Sequence, residues 1–265
     1  MPTVLVTGAS TGIGRATALA LARTHTVLAG VRRLEDAPDG VTPVQLDVTD
    51  PDQVAALREL TQLDALVNNA GIAVTGPLEY MPLDAVRRQL EVNVIGQLAV
   101  TQAVLEPLRR ARGRIVNVSS IGGRMALPLY GPYAASKFAL EAVSDSLRRE
   151  LRGDVAVIVI EPGAIATPIW DRGVAAADAI WDAMPQAAHD RYGKLVESLR
   201  TRGVALATEG EPVEVVVDVI VKALGVPRPR TRYVIGRQAQ VQAALGRVLP
   251  DRAIDALLAR LLNNP

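Results

Sequence analysis

Thr3-Val4-Leu5-Val6-Thr7-Gly8-Ala9-Ser10-Thr11-Gly12-Ile13-Gly14, with the Ala- and Leu-rich Arg15–Arg23 behind it, decides the fold. Thr3–Thr7 is a short apolar run of the kind found in strands buried on both faces. Arg15–Arg23 reads as a helix. Strand, glycine turn and helix in that order build a phosphate cradle: the glycines allow a tight turn and close backbone approach, and the helix N-terminus attracts a pyrophosphate. The spacing G-x-x-x-G-x-G differs from the commoner G-x-G-x-x-G, and an ordinary tight turn also fits it.

Downstream, strands and helices alternate. His25–Val31, Val41–Leu46, Leu63–Val67, Arg114–Val118, Val155–Ile160 and Thr231–Ile235 read as strands, the last at a sheet edge. Pro51–Leu63 is an amphipathic helix with Asp50 as N-cap and Pro51 at its first position. Met81–Arg112 is long and mostly helical, with Asn93 in its interior, where Asn is a poor helix former. Helices follow at Pro132–Arg152 and Glu211–Leu224, and an amphipathic tail at Val241–Leu262 carries Leu245, Leu249, Leu257, Leu258 and Leu261. The expected architecture is α/β: a doubly wound, mostly parallel, Rossmann-like sheet of about seven strands with helices on both faces. Residues 1–265 form a single domain in this reading, with an excursion at about 168–210 and a helical tail at about 237–262.

Composition narrows the function classes. Apolar residues make up 49% and charged ones 22%, with a net charge of +1, which suits neither a disordered chain nor a polyanion partner. Aromatic content of 3% argues against a base-stacking surface for nucleic acid. There is no Cys, and His25 and His189 are the only histidines, so no metal site is expected. No apolar run is long enough to span a membrane and the start is not that of a signal peptide, so a cytoplasmic protein with no integral membrane segment is expected.

Where the strand His25–Val31 should end, Val31-Arg32-Arg33 stands in place of the Asp or Glu that would bind adenosine ribose hydroxyls. An Arg pair suits a ribose 2′-phosphate through charge-assisted bonds, so NADP(H) is expected, with NAD(H) as the alternative; a solvated basic loop is the plain reading. A second candidate site lies in Ser119–Lys137, S-S-I-G-G-R-M-A-L-P-L-Y-G-P-Y-A-A-S-K. Tyr133 and Lys137 share a helix face, and a cation favours the phenolate, so Tyr133 can exchange a proton nearer neutral pH. A serine from the strand side could polarise a carbonyl held between them. Lys137, Lys194 and Lys222 are the only lysines among 29 basic residues, which marks Lys137 as a place where a compact ammonium is wanted.

Taken together, T-G-A-S-T-G-I-G, L-D-V, N-N-A-G, Asn93, V-N-V-S-S, Y-A-A-S-K and P-G-A-I-A-T resemble the short-chain dehydrogenase/reductase family in order and spacing across about residues 3 to 168. The resemblance implies a catalytic set of Asn93, Ser120, Tyr133 and Lys137. Tyr133 would be the general acid or base, with Lys137 lowering its pKa and hydrogen-bonding the nicotinamide ribose. Ser120 would orient the substrate oxygen, and Asn93 would hold a relay water. It also implies cofactor contacts from Gly8, Ser10, Thr11, Gly12, Ile13, Gly14, Arg32, Arg33, Asp47 (toward the adenine) and Val48. Asn69, Ala70, Gly71, Pro162, Gly163, Ile165 and Thr167 (toward the carboxamide) would complete the path, with Tyr133 and Lys137. Many NADPH-preferring members carry a basic residue where Thr11 stands, so Arg32 and Arg33 are left to hold the phosphate.

Past Thr167 the family varies. Trp170, Trp181, Met184 and Tyr192 suggest an apolar lid over the substrate, although ordinary helix packing fits equally. The chain is similar to members acting on hydroxysteroids and retinol, which implies a bulky apolar alcohol or ketone, a small-molecule partner, and a homo-oligomer, dimer or tetramer. A non-catalytic NADP(H)-binding sensor and an epimerase on the same fold are the competing readings.

Overall fold

The computed structural model describes residues 1–263, without the side chains of 170, 171, 202–209 and 261–263. Trp170 and Leu261, expected in the lid and the tail, therefore lie outside the described side chains. The first half runs β1 (Thr3–Thr7), α1 (Gly12–Leu21), β2 (Thr26–Val31), β3 (Thr42–Gln45), α2 (Pro51–Ala56), β4 (Ala65–Asn68), α3 (Leu83–Leu90), α4 (Gly96–Ala103), α5 (Leu105–Ala111) and β5 (Arg114–Val118). The second half adds α6 (Gly131–Glu150), β6 (Ala156–Pro162), α7 (Pro168–Asp182), α8 (Gln186–Glu209), α9 (Val213–Gly225), β7 (Arg232–Ile235), α10 (Arg237–Val248) and α11 (Asp251–Asn263).

All seven strands pair in parallel, in the order β3-β2-β1-β4-β5-β6-β7, with β7 at an edge. The chain winds outward from β1 in one direction, then reverses and winds outward from β4. Side-chain alternation then splits the core between two faces. Val4 and Val6 join a cluster with Ala18, Leu21, Val216 and Ile220 from α1 and α9. Leu5 and Leu66 join Val100, Leu108 and Ile115 on the other face. Because parallel strands all run one way, the C-terminal ends of β1, β4, β5 and β6 share one edge, where such folds bind ligands.

Several expected boundaries move for local reasons. The helix expected over 51–63 keeps its Asp50 cap, which accepts from the N–H groups of Asp52 and Gln53, but ends at Ala56 and tightens to a 3₁₀ turn at Leu57–Glu59. The long helix expected over 81–112 is interrupted twice. Glu91–Ile95 is a π turn, and Val104 (φ −107, ψ 10) separates α4 from α5. The tail divides into two helices at Pro250. Glu211, expected to open a helix, instead pairs with Ile165 in an isolated parallel bridge. Among the described residues no helix is long and apolar enough to cross a membrane.

The β1–α1 turn has no spare room. Gly8 sits at φ +65, and a Cβ on Gly14 would lie 2.3 Å from the Gly8 carbonyl oxygen and 2.4 Å from Asn69 Nδ2. Gly14→Ala must therefore push α1 off the sheet. A loss of at least about 2 kcal/mol is expected from overpacking of this kind, read as a lower urea midpoint; an unchanged midpoint would show that the turn yields.

Candidate active site

β1 delivers Thr7, whose hydroxyl accepts from the N–H groups of Asn69 and Ala70, both at 3.0 Å. Asn69 answers by donating Nδ2 to the carbonyls of Thr7 (3.0 Å) and Gly8 (3.2 Å). The turn after β1 and the turn after β4 are thus stitched into one surface, with Gln97 Nε2 holding the Ala70 carbonyl at 2.8 Å. The glycine turn fits a dinucleotide pyrophosphate by its own geometry. Gly8 and Gly12 adopt positive φ, and the Thr11 side chain makes no capping bond to α1, so the helix N-terminus is open to an anion.

β5 delivers Ser120, whose hydroxyl accepts from the Gly122 N–H at 3.0 Å and is hydrogen-bonded to the Tyr133 phenol. Tyr133 lies in the first turn of α6, which carries Pro132 near its start as expected. Burial holds the Tyr133 phenol above its ordinary value, and the Ser120 hydrogen bond opposes that rise. Lys137, one turn on, is buried, and its Nζ donates to the Val118 carbonyl at 2.8 Å while lying 5.8 Å from the Tyr133 ring centroid. Burial lowers Lys137 to about 8, against the pull of Glu141. The Ser120 hydrogen bond opposes the upward shift of Tyr133, and the Lys137 ammonium stands beside the ring while held on Val118.

Asn93 grips the loop after β4. Its Oδ1 accepts from the Ile72 N–H at 2.9 Å, and its Nδ2 donates to the Ile72 carbonyl (3.0 Å) and to Ser136 Oγ (3.1 Å). Both amide protons are engaged, so the side chain fixes the loop after β4. The mid-helix Asn has its reason in the π turn that aims it inward. Two residues missed in the sequence reading complete this clamp. Gln89 accepts from the Val74 N–H at 2.7 Å and donates to the Ile72 carbonyl at 2.9 Å. Ser136 donates to the Tyr133 carbonyl at 2.7 Å. Gln89 stands one turn before Asn93, and Ser136 lies inside Y-A-A-S-K; those positions were the available signals.

Eleven of the expected residues line one cleft of about 530 Å³: Ile13, Asn69, Gly71, Asn93, Ser120, Tyr133, Lys137, Pro162, Gly163, Ile165 and Thr167. The cradle residues Gly8, Ser10, Thr11, Gly12 and Gly14, together with Ala70, lie at the ends of β1 and β4, while Asp47 and Val48 follow β3. Asp47 Oδ1 accepts from the Thr49 N–H (3.0 Å) and hydroxyl (2.7 Å), and Val48 packs against Gly96. The arginine pair does not act as a pair. Arg33 is drawn onto Asp36 by two hydrogen bonds of 2.9 and 2.8 Å, leaving Arg32 exposed at the end of β2. Among the described residues no cluster of His, Cys, Asp or Glu could hold a metal.

A second, more apolar cleft of about 590 Å³ adjoins Tyr130, lined by Leu129, Val174, Trp181, Met184 and Leu199 among others, with the Asp178–Arg200 ion pair at its wall. Trp181 and Met184 thus face this cleft, while Tyr192 packs on Tyr80 and donates to Glu79 at 2.7 Å.

A family model described as short chain dehydrogenase matches residues 2–177. The chain belongs to the short-chain dehydrogenase family. Within it, the chain is 34% identical over 274 residues to the NADPH-dependent 3-dehydrocapnine reductase of Ornithobacterium rhinotracheale, covering 96% of this chain and 94% of that one. It is 35% identical over 288 residues to the mouse (Mus musculus) retinol dehydrogenase 5, covering 99% and 89%. Among solved structures, a short chain dehydrogenase from Burkholderia cenocepacia in complex with NADP superposes with a TM-score of 0.76 at 30% identity, covering 98% and 97%. The chain is therefore an oxidoreductase of this family.

The buried Lys137 of this short-chain dehydrogenase sets a pH signature. A lysine at about 8 in the fold and near 10.5 when unfolded binds fewer protons folded than unfolded between those values. Stability should therefore rise with pH from about 8 to about 10, by on the order of 3 kcal/mol. Above that, Tyr130 and Tyr133, held protonated by burial, push the other way. Thermal midpoints of wild type and Lys137→Met across this range should diverge at pH 8 and converge toward pH 10; parallel curves would contradict the burial effect.

Proposed function

We propose that this oxidoreductase interconverts a bulky, apolar alcohol and its ketone with NADP(H), using Tyr133 as general acid or base. The observation that carries the reading is the meeting of Ser120, Tyr133 and Lys137 in a single cleft continuous with the glycine cradle. A nicotinamide dinucleotide supplies the hydride when bound. The chain's own residues do the rest. The Ser120 hydroxyl, fixed by the Gly122 N–H, orients the substrate oxygen toward the Tyr133 phenol. Tyr133 gives or takes the proton at that oxygen. Lys137 has two N–H donors beyond the one on Val118, enough to reach a ribose hydroxyl and to stabilise negative charge forming at the phenol. Asn93 and Gln89 hold the loop wall against which the nicotinamide would lie.

NADP(H) is favoured by Arg32, which among the described residues forms no ion pair, and by relatives whose names specify NADPH or NADP. The apolar substrate class rests on the cleft beside Tyr130, whose walls include Leu129, Val174, Trp181, Met184 and Leu199. A relative that is a retinol dehydrogenase supports the same class. The segment 168–210 would act as the lid of this cleft. Exposed Phe138 on α6 and Ile95 on the π turn supply an apolar surface for a homo-oligomer.

Tyr133→Phe is expected to lower turnover of a responsive ketone at least a hundredfold, since positioned proton transfer contributes about 10²–10⁴. NADPH affinity, followed by nicotinamide fluorescence, should stay within about threefold of wild type, because the substitution removes one hydroxyl, hydrogen-bonded to Ser120. Retention of most activity would overturn the assignment of the proton to Tyr133.

A further inference from the structure

The lid helix reaches back to the cofactor cradle. A Cβ on Gly12 would meet Thr167 Cβ at 3.5 Å and Pro168 Cδ at 3.7 Å, so the start of α7 lies across the turn between β1 and α1. Arg172, one turn after Pro168, shares that face. Its Nη2 donates to the Thr11 hydroxyl at 2.9 Å, bridging 161 positions of sequence. Thr11 is the N-cap of α1, and its own side chain caps nothing there. Arg172 is exposed, and among the described residues it forms no ion pair.

A second guanidinium comes from the opposite side. Arg32 follows β2, which lies beside β1 in the sheet. The Arg33 hydrogen bonds chiefly hold the Asp36 carboxyl below the usual range, and Arg32 and Arg172 both add to that electrostatically. Two guanidiniums that form no ion pair among the described residues therefore stand near the cradle, Arg32 after β2 and Arg172 on Thr11.

We propose that Arg172 is a ligand of the 2′-phosphate of NADP(H), so that this phosphate adds a second fastening between the lid helix and the cradle it already touches. The inference rests on the NADP(H) reading above. Position 11 then needs no basic side chain of its own: Thr11 parks the lid-borne arginine until the phosphate takes it. Cofactor choice and lid position become coupled, because whatever favours one must favour the other by the same factor. NADH, lacking the phosphate, would leave Arg172 on Thr11 and gain nothing from it.

The test uses 2′,5′-ADP and 5′-AMP as probes, titrated calorimetrically into the full chain, with amide exchange over 168–182 measured beside each titration. Wild type should bind 2′,5′-ADP more tightly, and that ligand alone should protect α7. Arg172→Ala should lose about ten- to hundred-fold for 2′,5′-ADP, the range of one charge-assisted bond. It should keep 5′-AMP affinity within about twofold, with the added protection of α7 gone. A wild type that prefers 2′,5′-ADP beside an Arg172→Ala variant that prefers it equally would overturn this inference and leave the NADP(H) reading standing. A wild type with no preference would overturn that reading itself, and this inference with it. Equal loss of both ligands in Arg172→Ala and Arg172→Gln would also overturn it, since the effect would then not belong to the phosphate.

Discussion

Position 14 can hold no side chain, because a Cβ there would sit 2.3 Å from the carbonyl oxygen of Gly8. That contact sets how deeply the first helix enters the sheet. It also places Asn69 Nδ2 within reach of the carbonyls of Thr7 and Gly8, so the turn after β4 is fixed by the turn after β1. The loop at Ala70–Val74 then has a defined start, and everything that grips it inherits the position. A bulkier residue at 14 would displace more than a helix: it would move the wall of the cleft in which Tyr133 lies.

From that loop the order passes through buried polar groups. Asn93 binds both the N–H and the carbonyl of Ile72, Gln89 binds that carbonyl and the Val74 N–H, and both donate to Ser136, which in turn donates to the Tyr133 carbonyl. Partnered groups of this kind cost little when buried and rigidify their surroundings, whereas removing one partner leaves the others unsatisfied. The opposite side of the site is held by charge. Glu161, fully buried on β6, takes two hydrogen bonds from Arg124 at 2.5 and 2.7 Å and a contact from Arg232 at 3.2 Å. Arg124 closes the 3₁₀ turn that begins at Ser120, so this ion pair steadies the serine from behind. Tyr133 is thus positioned by an amide network on one side and by a serine anchored through an ion pair on the other.

Much of this was legible in the sequence because it depends on short-range pattern. The strand, glycine turn and helix at the start follow from spacing alone, and so does the shared face of Tyr133 and Lys137. The parallel sheet follows from apolar runs alternating with helices. What escaped depends on rotamers or on contacts distant in sequence. Arg32 and Arg33 read as a pair, yet only geometry shows Asp36 taking Arg33. Asn93 was visible as an anomaly, but its partners at Ile72 and Ser136 stand 21 and 43 positions away. The direction of Lys137 Nζ toward Val118 rests on where β5 ends relative to α6, which no window of sequence holds. Arg172 lay in a segment where the family pattern had already ended.

The same segment shows how a fixed site and a variable one share a chain. The excursion leaves the sheet after Ile165 and returns at Glu211, and there its two ends are tied together. Ile165 bridges Glu211, the Ala166 N–H donates to the Glu211 carbonyl at 3.0 Å, and the Glu211 N–H donates to the Ala164 carbonyl at 3.0 Å. With its neck closed by backbone bonds, the helical pair α7 and α8 can vary in sequence and tilt without pulling on Pro162 or Gly163 in the cleft. Its ion pairs, Arg200 with Asp178 within the excursion and Arg191 with Glu79 beyond it, are made by solvent-accessible side chains. Contacts of that kind hold weakly. The neck is strong and the helices beyond it are lightly fastened, so this excursion can change while the cleft beside it keeps its shape.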